Sequence, residues 1–228
     1  VPGSLRENPT RKGCLRKQAA FWFLTGTANL PATARFSISP FSLPYPSAMN
    51  AAEKASVLLE ALPYMQGFRG HTFLIKVGGS AMEDPAQVDL FLRDVVFLEA
   101  VGINPVIVHG GGKAISKAMQ ESGLEARFIN GMRVTDEETI KIVEQTLARV
   151  INPGIVEKIN TFGGKAVGLP GTEVFIGEKM KGDLGWVGEV NDCRTGLIQA
   201  AVAGEFVPVV SPVARETASG RTLTAADA

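Results

Sequence analysis

Apolar residues recur along this chain in two rhythms. Ala55, Leu58, Leu59 and Leu62 are spaced by three and four, which predicts an amphipathic helix over 51–62, ended by Pro63 and by Gly67 to Gly70. The run HTFLIKV, His71 to Val77, is rich in β-formers and stops at Gly78-Gly79, the pattern of a strand followed by a tight loop. Asp84-Pro85 offers an N-cap and a proline at the first helical position, and Val88, Phe91, Leu92, Val95, Val96 and Leu98 carry a helix to about Val101. Pro105 to Val108 reads as a second buried strand. Gly110-Gly111-Gly112 follow it, and then a helix over 113–122 with Ile115, Ala118 and Met119 on one face. Strands that are apolar throughout, alternating with helices, predict an α/β fold: an open, mainly parallel sheet with helices on both faces.

Thr135 to Glu138 reads as a capping box, and Ile140, Val143, Leu147 and Val150 carry a helix to Asn152, where Pro153 starts another. Beyond Phe162 the pattern shortens and looks hairpin-like through KAVGLPG, EVFIGEK and WVGEV. A helix over 195–203 and a buried strand over 206–210 follow, and no internal repeat is visible.

Composition separates the first 48 residues from this pattern. They carry six basic residues against one acid, and are frequent in Pro, Ser, Thr and Arg. They are set aside as a leader, read as upstream translation or a cloning remnant, as an organelle transit peptide, or as a domain of its own. Because the whole chain balances 23 basic against 23 acidic residues, the remainder holds 17 against 22. That deficit gives no electrostatic basis for nucleic-acid binding. Cys14 and Cys193 match no metal or redox spacing, so reduced thiols and a cytoplasmic location are expected, or a plastid or mitochondrial one if the leader is a transit peptide. No apolar run reaches the roughly 20 residues of a membrane helix, so a soluble chain without a membrane partner is expected.

The glycine runs carry the candidate chemistry. A P-loop would need glycine at 107 and Ser or Thr at 114, where Ile107 and Ala114 stand; a dinucleotide fingerprint would need glycine in place of Ile115. Ligands of open α/β sheets bind beyond the carboxyl ends of the strands, so Gly78-Gly79 and Gly110 to Gly112 could face one anion, or serve only as turns. Lys76 either reaches the end of its strand to meet that anion or snorkels at an edge. Arg133, in NGMRVT, offers a two-pronged donor for carboxylate or phosphate. His71 and His109 make no triad or metal set, and no metal ligands are expected; His109 is expected to pack at its strand end. Two glycine loops, a lysine and an arginine suit either phosphoryl transfer, which needs positioning and positive charge, or anion binding alone.

The segments IKVGGSAM, VIVHGGGKAI and NGMRVTDEETIKIVEQTL resemble, in order and spacing, the amino-acid kinase family and within it the acetylglutamate kinases. The likeness continues through NPGIVEKIN, GGKAVGLPG, GWVGEV and GEFVPVVSPVA. It implies an αβα sandwich that phosphorylates the side-chain carboxylate of N-acetyl-L-glutamate with ATP and Mg2+, a step of arginine biosynthesis. By the same resemblance Lys76 would stabilise the phosphoryl group in flight, Gly78 and Gly79 would line the phosphate path, and Gly111, Gly112 and Arg133 would bind the acyl substrate. Residues 49–70 resemble the helix through which arginine-inhibited members form hexamers, implying a homo-oligomer, L-arginine as inhibitor and a PII-type signalling protein as partner. Residues 71–228 would be the substrate-binding part of the kinase domain.

The likeness thins at GRTLTAADA. Where the family shows a tyrosine and an Asn-x-Asn-Ala-Asp run, Leu223 and Thr224 replace the aromatic and first asparagine, and Asp227 matches the family's aspartate only with a one-residue shift. The family's nucleotide-binding half has no counterpart before Ala228, so little or no turnover is expected of these 228 residues alone. Another enzyme of the same family and a non-catalytic arginine-sensing module are the alternatives.

Overall fold

The computed structural model describes residues 50–225, except the side chain at position 80. The leader, Cys14 and Asp227 lie outside the described residues. Helix α1 (Ala51–Phe68) begins with a reciprocal cap: Asn50 Oδ1 accepts from the Glu53 N–H at 3.0 Å, and Glu53 Oε2 accepts from the Asn50 N–H at 2.8 Å. The helix does not stop at Pro63 as the sequence predicts, but runs one and a half turns further. No residue of α1 is buried, so water can reach the Leu59 carbonyl that Pro63 leaves without a donor.

Four strands form a parallel sheet in the order β1 (Thr72–Val77), β2 (Asn104–His109), β8 (Val207–Val210), β5 (Ala166–Leu169). One face packs Ile75, Val77, Ile107 and Val209 against α2 (Pro85–Ala100) and α5 (Asn152–Thr161). The other packs Val106, Val108 and Val210 against α7 (Gly196–Ala203) and a small closed barrel. That barrel has the order β10 (Thr222–Ala225), β7 (Val187–Cys193), β6 (Phe175–Lys179), β9 (Val213–Glu216). Both faces are covered, and this is why the strands are apolar without alternation. The hairpin reading of KAVGLPG is thereby corrected. Its AVGL is β5, parallel to β8 from Ala166 opposite Val207 to Leu169 opposite Val210; of the three segments read as hairpin-like, EVFIGEK and WVGEV do pair antiparallel, as β6 and β7. Leu223 is fully buried between sheet and barrel.

Helices α3 (Gly112–Glu121) and α4 (Glu137–Thr146) pack through Ile115, Met119, Ile140 and Val143. The cap of α4 is Asp136, whose carboxylate accepts from the Thr139 N–H at 2.8 Å, and not the predicted Thr135. Five residues of π-helix, Leu147–Ile151, follow α4 and carry the helical run to Asn152, as the sequence predicts, where α5 begins.

Candidate active site

Because β1 and β2 are parallel neighbours in register, Lys76 beside Val108 and Val77 beside His109, their two glycine loops leave the sheet side by side. The Gly110 N–H donates to the Val77 carbonyl at 2.6 Å, and a Cβ on Gly110 would stand 3.1 Å from Gly78 Cα. Gly79 opens a short 3-10 turn, Gly79–Met82, and Lys113 pairs with Glu83 at 2.5 Å, tying the loops from their far sides.

Lys76 points to the face opposite Ile75 and Val77, on the side of Leu74. It is exposed and has no ion-pair or hydrogen-bond partner among the described residues. The strand thus leaves a bare ammonium exposed, one residue before Val77, which flanks the first glycine loop, instead of burying it. Helix α3 starts at the second loop with Gly111 as its N-cap and no side chain closing the cap, so its first-turn N–H groups stay available to an anion.

Arg133 reaches that helix end from a two-stranded hairpin, β3 (Phe128–Ile129) and β4 (Met132–Arg133). Asn130 at φ 51° and Gly131 at φ 82° make the two-residue turn whose twist matches its strands. Phe128, opposite Arg133, lies under the guanidinium at 4.8 Å from the ring centre. Nη2 donates to the Gly112 carbonyl at 2.9 Å and to Ser116 Oγ at 2.8 Å, and Nη1 to Met119 Sδ at 3.2 Å. Partial burial lowers the pKa of the guanidinium, which remains a cation at neutral pH. With three of five donors engaged, both of those on Nη2 among them, the guanidinium is held rigidly; Nε–H and one Nη1–H remain, on different edges, so a ligand meets it through single hydrogen bonds and not through the two-pronged contact the sequence suggests. Ser116 and Met119 escaped the sequence reading because only the folded hairpin brings them to Arg133.

The support beneath the second loop was also invisible in sequence. A Cβ on Gly111 would stand 2.5 Å from Ile151 Cδ1 and 2.7 Å from Leu147 Cδ2, so the π-helical segment packs directly on the loop. His109 is buried, as expected from its place at a strand end. Its Nε2 lies 3.3 Å from Asn152 Nδ2, which also donates to the Val209 carbonyl at 2.8 Å. An amide nitrogen can only donate, so Nε2 is the acceptor and Nδ1–H donates to the Gly110 carbonyl at 3.0 Å. Burial lowers the imidazole pKa and so favours this neutral form. His109 is therefore a prop for the loop, without access to a reacting group.

Among the described residues no group of three or more His, Cys, Asp or Glu could hold a metal ion, and no helix is long and apolar enough to cross a membrane. A crevice of about 800 Å³ opens beside α5 and the end of β5, lined by Asn152, Val156, Asn160, Pro170 and Ser211; Lys76, Arg133 and the glycine loops at 78–79 and 110–112 do not line it.

A family model described as the amino acid kinase family matches residues 71–227. The chain is 54% identical over 179 residues to the acetylglutamate kinase of Akkermansia muciniphila, covering 75% of this chain and 60% of that protein. It is 47% identical over 175 residues to the acetylglutamate kinase of Methanocaldococcus jannaschii, covering 71% and 58%. It thus spans about three fifths of the length of the curated relatives it matches. Among solved structures, smu.665 from Streptococcus mutans UA159 superposes with a TM-score of 0.62 at 27% identity, covering 68% of this chain and 63% of that one. The N-acetylglutamate synthase of Neisseria gonorrhoeae, complexed with coenzyme A and N-acetyl-glutamate, has a TM-score of 0.64, covers 75% and 40%, and at 18% identity is alike in fold. With parallel strands that end in paired glycine loops, and a family model that spans well over half of its length, this chain belongs to the amino acid kinase family.

Proposed function

We propose that this chain forms the acyl-substrate side of an acetylglutamate kinase. The observation that carries the reading is the rigid Arg133 guanidinium over the uncapped start of α3, whose glycine loop touches that of β1, the strand that carries the unpaired Lys76. The 54% and 47% identities to acetylglutamate kinases support N-acetyl-L-glutamate as the acid that fills it.

In this reading Arg133 holds the α-carboxylate, and the N–H groups of Gly111 and Gly112 face the acyl end. The side-chain carboxylate is already ionised, so no general base is needed. One of its oxygens attacks the γ-phosphorus of ATP, the bond to the ADP oxygen breaks, and the products are an acyl phosphate and ADP. Charge gathers on the oxygens of the moving phosphoryl group, where Lys76 and the N–H groups of Gly78 and Gly79 act. Mg2+ would arrive on the phosphates of the nucleotide, a common mode for this cation.

Calorimetry of the 228-residue chain with N-acetyl-L-glutamate is the test. Saturable one-to-one binding, with free glutamate and N-acetyl-aspartate much weaker, is expected. Equal affinity for all three, or none for N-acetylglutamate, would refute the reading.

A homo-oligomer is a second element of the proposal, favoured by α1. Val57, Leu58, Leu59, Leu62 and Tyr64 are 42–68% exposed on a helix with no buried residue, an apolar surface that fits another copy of the chain. Light scattering should give a mass above that of one chain, and Leu58→Glu with Leu62→Glu should lower it. L-arginine, if it acts through this helix, should change the mass of the unsubstituted chain alone; a monomer under all conditions would dismiss the idea.

A further inference from the structure

Arg133 can present its free donors in a constant place only if its backbone is fixed, yet β4, the strand that carries it, is two residues long. The fixing comes from Thr135. This side chain is fully buried and does not cap α4; its hydroxyl donates to the Arg133 carbonyl at 3.0 Å. The backbone at Thr135 is gripped from the barrel side. Its N–H donates to the Leu184 carbonyl at 2.8 Å, and its carbonyl accepts from the Trp186 N–H at 2.6 Å, a parallel bridge centred on Gly185. Gly185 sits at φ 72°, and a Cβ there would stand 2.1 Å from the Thr135 carbonyl oxygen, so glycine is demanded by both conformation and space.

The far side of this bridge is anchored in turn. Trp186 Nε1–H donates to Glu137 Oε1 at 2.9 Å, Arg221 lies over the indole at 3.7 Å, and Arg221 also pairs with Glu137. The strap over 184–186 is thus bonded to the barrel strand β7 at one end and to α4 through Glu137, with Thr135 between. One residue earlier, the Val134 N–H donates to the Arg127 carbonyl at 2.9 Å and closes the base of the hairpin.

We infer that Thr135 and Gly185 are positioning residues for the substrate carboxylate: they clamp the backbone of Arg133 so that its guanidinium, and the free donor that meets the carboxylate, keep one position. A hairpin whose tip carries the exposed Phe128 and Ile129 would otherwise pivot about its base. The inference rests on the assignment of Arg133 to the α-carboxylate, and predicts that the clamp matters for that end of the ligand only.

Thr135→Val keeps the shape and removes the hydroxyl, whereas Thr135→Ser keeps the hydroxyl; Gly185→Ala strikes the clamp from the other side. Two readouts on the whole chain decide the matter. First, without ligand, the Arg133 Nε–H signal in nitrogen-edited NMR should be sharp in the unsubstituted chain and in Thr135→Ser, and broadened in Thr135→Val and Gly185→Ala. Second, Thr135→Val should weaken N-acetyl-L-glutamate by about fivefold, the loss of roughly one hydrogen bond. It should leave 4-acetamidobutanoate, which is N-acetylglutamate without its α-carboxylate, unchanged. Equal losses for both ligands, or a sharp Arg133 signal in Thr135→Val, would overturn the inference. Should the unsubstituted chain fail to bind N-acetylglutamate, the substrate reading falls and the Nε–H signal alone decides whether the clamp exists.

Discussion

Replacing Arg133 by alanine should weaken N-acetyl-L-glutamate binding by about 30-fold, the scale expected when a charge-assisted hydrogen bond in a partly buried site is lost. Lysine should recover only part of this, because an ammonium supplies the charge without the guanidinium's bonds to Gly112 and Ser116. The guanidinium also bonds to Gly112, Ser116 and Met119, so a loss of affinity could come from a loosened helix end instead of a missing ligand contact. The two causes separate by ligand. If Arg133 meets the α-carboxylate, 4-acetamidobutanoate should bind Arg133→Ala nearly as it binds the unsubstituted chain. Calorimetry with both ligands checks this; a parallel loss for the two would assign Arg133 to structure and remove the carboxylate from the account.

Gly111→Ala should be the most damaging substitution in the glycine loops, and for a reason other than backbone conformation. The new methyl would fall 2.5 Å from Ile151 and 2.7 Å from Leu147, both on the π-helical segment. Neither contact can stand, so the ends of Ile151 and Leu147 must swing aside or the π segment must shift, at up to about 2 kcal/mol for overpacking of this kind. For a domain of this size that is a drop of about 5 °C in melting temperature. Gly112→Ala is the natural comparison, since nothing lies within 4 Å of a Cβ there. It should melt like the unsubstituted chain. Equal melting temperatures for the two variants would show that Ile151 and Leu147 yield to the methyl without cost.

The sheet and the two loops were legible in the sequence because local signals agreed with the final packing. FLIKV, PVIVH and VPVV are apolar at nearly every position, which only a strand covered on both faces requires, and glycines mark where the first two end. Arg133 could be picked out by its type and its turn, but its partners could not. The features that escaped are those decided by distant contacts. β5 is four residues long and bordered by glycines, and looked like one arm of a hairpin until β8, about 40 residues later, paired with it. Gly168 within it is bare because a Cβ would stand 2.2 Å from Asn152 Oδ1, a neighbour that no local pattern announces. Thr135 and Asp136 compete for one cap, and the burial of Thr135 under the barrel strap settles the choice. Pro63 was read as a stop because its missing N–H is costly in a packed helix, whereas α1 is open to water.

The loops at 78–79 and 111–112 and the guanidinium of Arg133 are proposed to form a single site for N-acetyl-L-glutamate. Backbone amide NMR of the isotope-labelled chain, titrated with that ligand, tests it directly. The amides of Gly78, Gly79, Gly111 and Gly112 and the Arg133 Nε–H should shift together along one saturation curve. Shifts confined to Asn152, Val156, Asn160 and Ser211, around the crevice beside α5, or no shifts at the glycines, would contradict it.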